Sequence, residues 1–251
     1  MRCAPASRNG TLIFSVDRLD YTKGIPHRLQ AFKEALACYP KLRGQVSLLQ
    51  VVVPSRVDIP EYARLKATIE QLIGGINGEW AKPGEWLPVW YVFGHLTPSD
   101  LSAYYRAADI ALVTPLKDGM NLVAKEYCTC SEGEGVLILS EFAGASAQLG
   151  RGALLVNPYD TKGVAEAIYR AWSMNGDERR ARMRQLQRSI RRHDIFWWAD
   201  GFLRAAFTRD KSALPLAQDL GWERTEFVPF RKQSGSPRLV ARPQEPLSWR
   251  A

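Results

Sequence analysis

Residues 110–126 read IALVTPLKDGMNLVAKE, and this stretch decides the class of fold. It opens with an unbroken apolar run, which is typical of a strand covered on both faces of a sheet. Asp118-Gly119 then turns the chain, and the pattern predicts a helix from about Asn121 to about Cys130. The first N–H groups of that helix would point back toward the strand end, where they can donate hydrogen bonds to an anion or a hydroxyl.

The same alternation of short apolar runs and longer helical patterns extends in both directions. We predict six strands, at Thr11–Val16, Val46–Val53, Pro88–Phe93, Ile110–Thr114, Val136–Ser140 and Ala153–Val156. The segments between them are too long for hairpins, so the connections should be right-handed crossovers between parallel strands. The predicted class is α/β, a doubly wound and mostly parallel Rossmann-like sheet.

Prolines and glycines mark the predicted helix boundaries. One helix should begin at Pro60 and stop at Gly74-Gly75, and another should begin at Thr97-Pro98 with Thr97 as its N-cap. From about Lys211 the chain becomes rich in proline, serine and glycine, and we expect a partly disordered tail over 211–251. The folded domain should therefore occupy residues 11–210.

Composition narrows the class of protein. The chain has 251 residues, 46% of them apolar, and no apolar run approaches the length of about 20 residues that spans a membrane. The first residues lack the apolar stretch of a signal peptide, so we expect a cytoplasmic protein without membrane partners. Four cysteines without a CxxC pair and three scattered histidines predict inert thiols, no metal site and no cofactor.

The net charge of +8 allows a nucleic-acid binder as one interpretation. Much of the positive charge, however, lies between Arg179 and Arg192, where arginines alternate with Met183, Leu186 and Ile190. This is the pattern of a surface helix with a solvated basic face, and attraction of phosphorylated substrates is the other contribution we consider. We therefore expect no nucleic-acid partner.

Ligands of open parallel sheets bind beyond the carboxyl ends of the strands, so the loops there hold the candidate site residues. After the first strand, Arg18 and Lys23 place two cations near a helix N-terminus, which favours a phosphate or diphosphate. The alternative is that these two cations form structural ion pairs with Asp17 and Asp20. The segment lacks the spacing of a P-loop.

Three further polar residues follow strand ends. Arg56 comes after the second strand and either binds a phosphate or is a surface residue. Asp118 and Glu126 border one predicted pocket, where ionised carboxylates can accept hydrogen bonds from vicinal hydroxyls. The alternative is that Asp118 caps the helix and Glu126 is solvated. Small residues over Ser140–Ala147 allow close backbone approach.

These segments together resemble the trehalose-6-phosphate synthase family. The resemblance rests on the following stretches, and it covers roughly residues 11–205: Ser15–Gly24, Val53–Arg56, Ile76–Gly78, Ala107–Glu126, Leu139–Gly144 and Val156–Asp160. It implies the C-terminal half of a retaining GT-B glycosyltransferase, which has two Rossmann-like halves facing across a cleft. The implied reaction transfers glucose from UDP-glucose to glucose 6-phosphate, giving trehalose 6-phosphate and UDP.

The resemblance also implies roles for individual residues. Arg18 and Lys23 would hold the diphosphate, Asp118 would contact the transferred glucose, and Arg56 would reach the acceptor phosphate. The remaining donor contacts would come from Leu96 near the uracil, from Glu126 on the ribose hydroxyls, and from Asn121, Leu122, Val123, Ala124 and Lys125. Fixed cations can stabilise the leaving diphosphate without a metal.

One departure from the family concerns the first half of the architecture, which should precede residue 11. We therefore expect residues 1–10 to be a remnant and the chain to be a fragment, or a split or truncated product, that needs the other half in cis or in trans. Two alternatives remain, a glucosylglycerol-phosphate synthase and a remnant that binds a nucleotide sugar without turnover. A phosphatase of the haloacid dehalogenase type is disfavoured, because it would need a second aspartate where Leu19 stands. A glycosidase is disfavoured too, because its chemistry uses two opposed carboxylates and does not need the cation pair Arg18 and Lys23.

Overall fold

The computed structural model describes residues 10–56 and 58–207. Six strands form one sheet: β1 Thr11–Arg18, β2 Val46–Val53, β3 Val89–Phe93, β4 Ile110–Val113, β5 Val136–Ser140 and β6 Leu154–Val156. Eight helices are α1 Ile25–Cys38, α2 Pro60–Trp80, α3 Pro98–Ala107, α4 Leu122–Cys130, α5 Ser146–Leu149, α6 Thr161–Ser173, α7 Gly176–Arg192 and α8 Ile195–Phe207. Short 3-10 turns stand at Tyr21–Lys23 and Pro40–Leu42.

The strand order is β3-β2-β1-β4-β5-β6, and every neighbouring pair is parallel. This is the order of a doubly wound Rossmann sheet, so the predicted fold class is confirmed. The connections run outward in opposite directions from the centre, because β1 lies beside both β2 and β4. The loops after β1 and β4 therefore leave the same edge of the sheet at its topological switch point.

Alternate side chains of each strand enter two separate cores. On one face Ile13, Leu48 and Ile110 pack with the buried sides of α1, α2 and α6. On the other face Phe14 and Leu137 pack with α3, α4 and α7. Both faces of the sheet are thus covered, which explains why the strands are apolar nearly throughout.

The six predicted strands are all present, and β1 differs most because it continues two residues beyond the predicted Val16. Asp17 and Arg18 remain in register with Val52 and Val53 of β2. The sequence predicts Asp17 in the loop after the strand, but in the fold it belongs to β1 and its carboxylate has a buried ion-pair partner.

The predicted end of a helix at Gly74-Gly75 is wrong, since α2 continues to Trp80. Ile73 and Ile76 are buried on the sheet, and Asn77 exchanges two hydrogen bonds with the backbone of Val89, at 2.9 and 3.0 Å. These contacts outweigh the cost of about 1 kcal/mol that each helical glycine carries. Tertiary burial therefore decides where this helix ends.

Other local predictions are confirmed. Thr97 caps α3, its hydroxyl accepting a hydrogen bond from the N–H of Asp100 at 3.2 Å. The arginine-rich stretch forms α7, which buries Met183 and Leu186 and exposes most of its arginines. No helix in the part of the chain that the structure describes is long and apolar enough to cross a membrane. The predicted tail, 211–251, and positions 1–9 of the predicted remnant lie outside the described residues.

Candidate functional site

Backbone hydrogen bonds join the loops that leave the switch point. The N–H of Leu116, after β4, donates to the carbonyl of Thr22, after β1, at 2.8 Å. The loop after β5 is joined in the same way, because the N–H of Gly144 donates to the carbonyl of Asp118 at 2.9 Å. Three sequence-distant loops thus form one continuous surface at the edge of the sheet.

Gly144 fits this surface only because it lacks a side chain. A Cβ there would lie 2.1 Å from the carbonyl oxygen of Gly119, which is backbone and cannot move aside easily. The small residues after β5, which were predicted to permit close backbone approach, therefore let the loop after β4 pack against them. The turn at Asp118-Gly119 contacts Gly144 directly.

Lys23 and Asp118 meet at the centre of the surface although 95 residues separate them in the sequence. The Lys23 ammonium donates to Oδ2 of Asp118 at 2.5 Å, and both side chains are about 15% exposed. Burial alone would raise the pKa of Asp118, but the hydrogen bond and charge of Lys23 outweigh it and hold that pKa below its usual value. Asp118 is therefore ionised in this pair.

Arg18 stands at the end of β1 with an exposed side chain. Within residues 10–56 and 58–207 its guanidinium makes no hydrogen bond or ion pair. Asp17 pairs with Arg28, and Asp20 caps the turn at Tyr21–Lys23 by accepting from the N–H of Thr22 at 2.9 Å. The alternative that Arg18 and Lys23 pair with Asp17 and Asp20 is therefore wrong.

Arg28 was not among the predicted site residues, yet its fully buried guanidinium connects the elements around the site. It donates to Asp17 at 2.6 Å, to Thr114 at 3.0 Å and to the carbonyl of Lys23 at 3.2 Å. A further bond reaches Gln50 on β2 at 3.3 Å. One feature of the sequence could have indicated that Arg28 is buried. It falls at helical spacing within the apolar face of α1, between Ile25 and Phe32.

The partner of Arg28 is equally buried. Burial raises the pKa of the Asp17 carboxyl above its ordinary value, while the charge and hydrogen bond of Arg28 act in the opposite direction. An arginine without this carboxylate, or the carboxylate without the arginine, would be an uncompensated buried charge. The pair thus fixes the spacing between β1, β4 and the start of α1.

Gly24 lies between the Lys23 loop and α1 in the left-handed region, with φ of 65°. A Cβ at this position would be 2.8 Å from the carbonyl oxygen of Thr114. Glycine is needed for both reasons, because an L side chain is strained at this φ and would collide with the end of β4. The loop can then approach β4 closely enough for Lys23 to reach Asp118.

The predicted helix after the turn is confirmed as α4, with Asn121 at its N-cap. The Asn121 side chain accepts from the N–H of Ala124 at 3.0 Å and donates to Asp118 at 3.2 Å. The alternative that Asp118 is only a helix cap is therefore wrong, since Asn121 fills that role. Asn121 adopts φ of 71°, which asparagine tolerates better than most residues.

The segment of α4 that the sequence predicts to bind the donor carries both apolar and charged side chains. Leu122 and Glu126 are exposed, Val123 and Lys125 are partly buried, and Ala124 is buried. Burial lowers the pKa of the Lys125 ammonium. Glu126 accepts a hydrogen bond from the hydroxyl of Tyr105 on α3 at 2.9 Å, so it is not merely a solvated helix residue.

Arg56 and Leu96 follow β2 and β3 on the other side of the switch point. Arg56 is exposed with φ of 48°, and its guanidinium donates to the hydroxyl of Tyr62 at 3.2 Å. Leu96 is partly buried and packs against the core beneath α3. Among the described residues, no hydrogen bond or ion pair joins either side chain to the Lys23–Asp118 pair.

Known proteins match this chain over most of its length. The model of glycosyltransferase family 20 matches residues 5–207. The chain is 46% identical over 197 residues to a trehalose-6-phosphate synthase of Sodalis glossinidius, covering 78% of this chain and 42% of that protein. The chain thus spans less than half the length of that relative.

Solved structures give the same result. An E. coli trehalose-6-phosphate structure bound with UDP-2-fluoro glucose is 41% identical with a TM-score of 0.76, covering 79% of this chain and 44% of that one. An α,α-trehalose-phosphate synthase (UDP-forming) from Burkholderia xenovorans, in complex with glucose-6-phosphate, is 44% identical with a TM-score of 0.76. It covers 78% of this chain and 44% of that one.

Proposed function

Because this chain belongs to glycosyltransferase family 20, we propose that it supplies the donor-binding half of a trehalose-6-phosphate synthase. The reaction transfers the glucosyl group from UDP-glucose to glucose 6-phosphate with retention, and it releases UDP. The observation that carries this proposal is the Lys23–Asp118 pair at the switch point of a Rossmann sheet. Arg18 stands at the end of β1 at the same edge, and among the described residues its guanidinium has no ion-pair partner.

Arg18 and Lys23 suit the diphosphate of the donor. The Arg18 guanidinium presents a planar set of donors to solvent, and such a set binds phosphate oxygens in pairs. The Lys23 ammonium has three N–H groups, of which Asp118 takes one, so two remain for phosphate oxygens. Negative charge grows on the diphosphate as the glycosidic bond breaks, and these cations stabilise it in place.

Asp118 and α4 suit the sugars. Asp118 is ionised and held by Lys23 and Asn121, so its free lone pairs can accept hydrogen bonds from hydroxyls of the transferred glucose. Glu126 would accept from the ribose hydroxyls of the same donor. The segment Leu122–Lys125 would line the donor pocket, and the backbone near Leu96 would contact the uracil.

Arg56 suits the phosphate of the acceptor. Its side chain is exposed, and its contact with Tyr62 uses only part of the guanidinium. In this proposal the remaining N–H groups bind glucose 6-phosphate from the donor side of the cleft. Retention fits a front-face attack, in which the leaving phosphate helps to deprotonate the acceptor hydroxyl.

We further propose that an N-terminal half completes the site in cis or in trans, with residues 11–210 as the donor-binding domain. The surface of α8 supports this. The exposed fractions of its large apolar side chains run from 40% to 82%, and these residues are Ile195, Phe196, Trp197, Trp198, Phe202, Leu203 and Phe207. Apolar side chains exposed in this way are typical of a surface that packs against another segment or protein, and in this proposal that partner is the N-terminal half. A cytoplasmic location stays a prediction.

Calorimetric titration of the chain with UDP and with UDP-glucose tests donor binding. We expect saturable binding that weakens at least about 100-fold in the Arg18→Ala, Lys23→Ala double variant, since hydrogen bonds to charged groups contribute about 1.5–3 kcal/mol each. A Lys33→Ala, Lys66→Ala double variant is the matched control. It removes the same charge from two surface ion pairs, Lys33–Glu79 and Lys66–Glu70, and should bind as the parent does.

Equal loss in both double variants would contradict the proposed diphosphate site, because the effect would then follow net charge.

Activity is measured separately, after addition of a purified N-terminal half of a relative. Turnover with glucose 6-phosphate supports the proposal, and preference for glycerol 3-phosphate would indicate a glucosylglycerol-phosphate synthase. Full turnover by the chain alone would refute the need for a second half, and binding without turnover in its presence would indicate a non-catalytic remnant.

A further inference from the structure

Tyr105 is a buried tyrosine whose hydroxyl is directed at the candidate donor site. Its ring lies 5.5 Å from that of Phe14 and 6.4 Å from that of Tyr127, in edge-to-face arrangements. Only 2% of the residue is exposed. The packing leaves the ring little freedom, so the position of the hydroxyl oxygen is set by the core rather than by the site.

The hydroxyl donates to Oε2 of Glu126 at 2.9 Å. No other hydrogen bond or ion pair to this carboxylate occurs in residues 10–56 and 58–207, although Glu126 lies on the exposed side of α4. Burial, and then the charge of Glu126, raise the pKa of the Tyr105 hydroxyl, so it stays protonated and remains a donor. A rigid group therefore holds one oxygen of an otherwise mobile side chain.

We propose that Tyr105 is a positioning residue, which fixes the Glu126 carboxylate so that its second oxygen can accept hydrogen bonds from two vicinal hydroxyls. This inference rests on the proposed function, in which those hydroxyls belong to the ribose of the nucleotide. An exposed glutamate samples several rotamers, and ordering it opposes binding. Tyr105 removes that cost before the ligand arrives, and the nucleotide meets a carboxylate that is already oriented.

The substitution Tyr105→Phe removes the hydroxyl and leaves the ring. Because Glu126 is exposed, water can replace the lost bond, and no buried group is left unpaired. We expect UDP to bind about three- to tenfold more weakly, the range for one rotamer-rich side chain that must be ordered on binding. Binding of a UDP analogue without either ribose hydroxyl should be unchanged.

Tyr127→Phe is the matched control. Tyr127 is a buried tyrosine of the same core, and its hydroxyl donates to the carbonyl of Ala108 at 3.3 Å, away from Glu126. This variant should bind UDP as the parent does. In a Glu126→Ala background, Tyr105→Phe should have no further effect, whereas a general structural role would weaken binding in both backgrounds and for both ligands.

Three results would overturn the inference while leaving donor binding in place. One is parental UDP affinity in Tyr105→Phe, and another is an equal loss in Tyr127→Phe. The third is a crystal structure of Tyr105→Phe in which the Glu126 carboxylate keeps its position. A parent chain that binds no UDP would instead overturn the proposed function, and the inference with it.

Discussion

Replacing Arg28 with methionine should strongly destabilise the fold and disturb the candidate site. The guanidinium is fully buried, and the Asp17 carboxylate that it pairs with is 4% exposed. Methionine fills much of the volume but leaves the carboxylate without a counter-charge. Breaking a buried pair in this way costs about 3–5 kcal/mol, which for a chain of this size lowers the melting temperature by about 6–20 °C.

The stability lost in Arg28→Met should depend on pH, and the pKa of Asp17 sets the direction. Burial already raises the pKa of Asp17 above its unfolded value, and removal of Arg28 raises it further. A raised carboxyl pKa means that the folded state binds a proton at a pH where the unfolded chain does not, so folding gains stability as pH falls. The difference between variant and parent should therefore shrink toward acid pH.

Thermal and urea unfolding over a pH series measure both effects. The Asp17→Asn, Arg28→Met double variant should be more stable than Arg28→Met alone, because it leaves no buried charge. Arg179→Met is the control, since Arg179 donates to three backbone carbonyls at the end of α6 and pairs with no buried carboxylate among the described residues. A loss below about 1 kcal/mol, or one that is constant with pH, would refute the reasoning, since the loss of a single neutral hydrogen bond already accounts for about 1 kcal/mol.

Two further predictions concern the loops. Gly24→Ala should lose more stability in urea unfolding than Gly44→Ala: both glycines have positive φ, but only the first would place a Cβ 2.8 Å from the Thr114 carbonyl, and Gly44 has nothing within 4 Å. Equal losses would show that the contact with β4 is unimportant. The folded pKa of Asp118 is lowered, so its contribution to stability is present above the unfolded pKa and is lost as pH falls through the folded pKa. Melting curves of Asp118→Asn should lack this part of the acid destabilisation, and an acid profile parallel to that of the parent would contradict it.

Sequence alone determined the fold class and much of the local structure. All six strands were predicted because buried parallel strands are continuous apolar runs, and this pattern needs no knowledge of their neighbours. The helix that begins after Asn121 and the cap at Thr97 follow from local chemistry in the same way. The family was also recognisable, since its motifs are contiguous residues after strand ends.

Tertiary structure decided which charges pair. Asp17 and Asp20 lie close to Arg18 and Lys23 in the sequence, yet Lys23 pairs with Asp118, 95 residues away. Proximity in the chain does not fix proximity in space, because the sheet order places β4 beside β1. The helix end past Gly74 and the role of Arg28 were hidden for a related reason. Both depend on what a neighbouring element buries, and burial is a property of the packed fold rather than of a local stretch of residues.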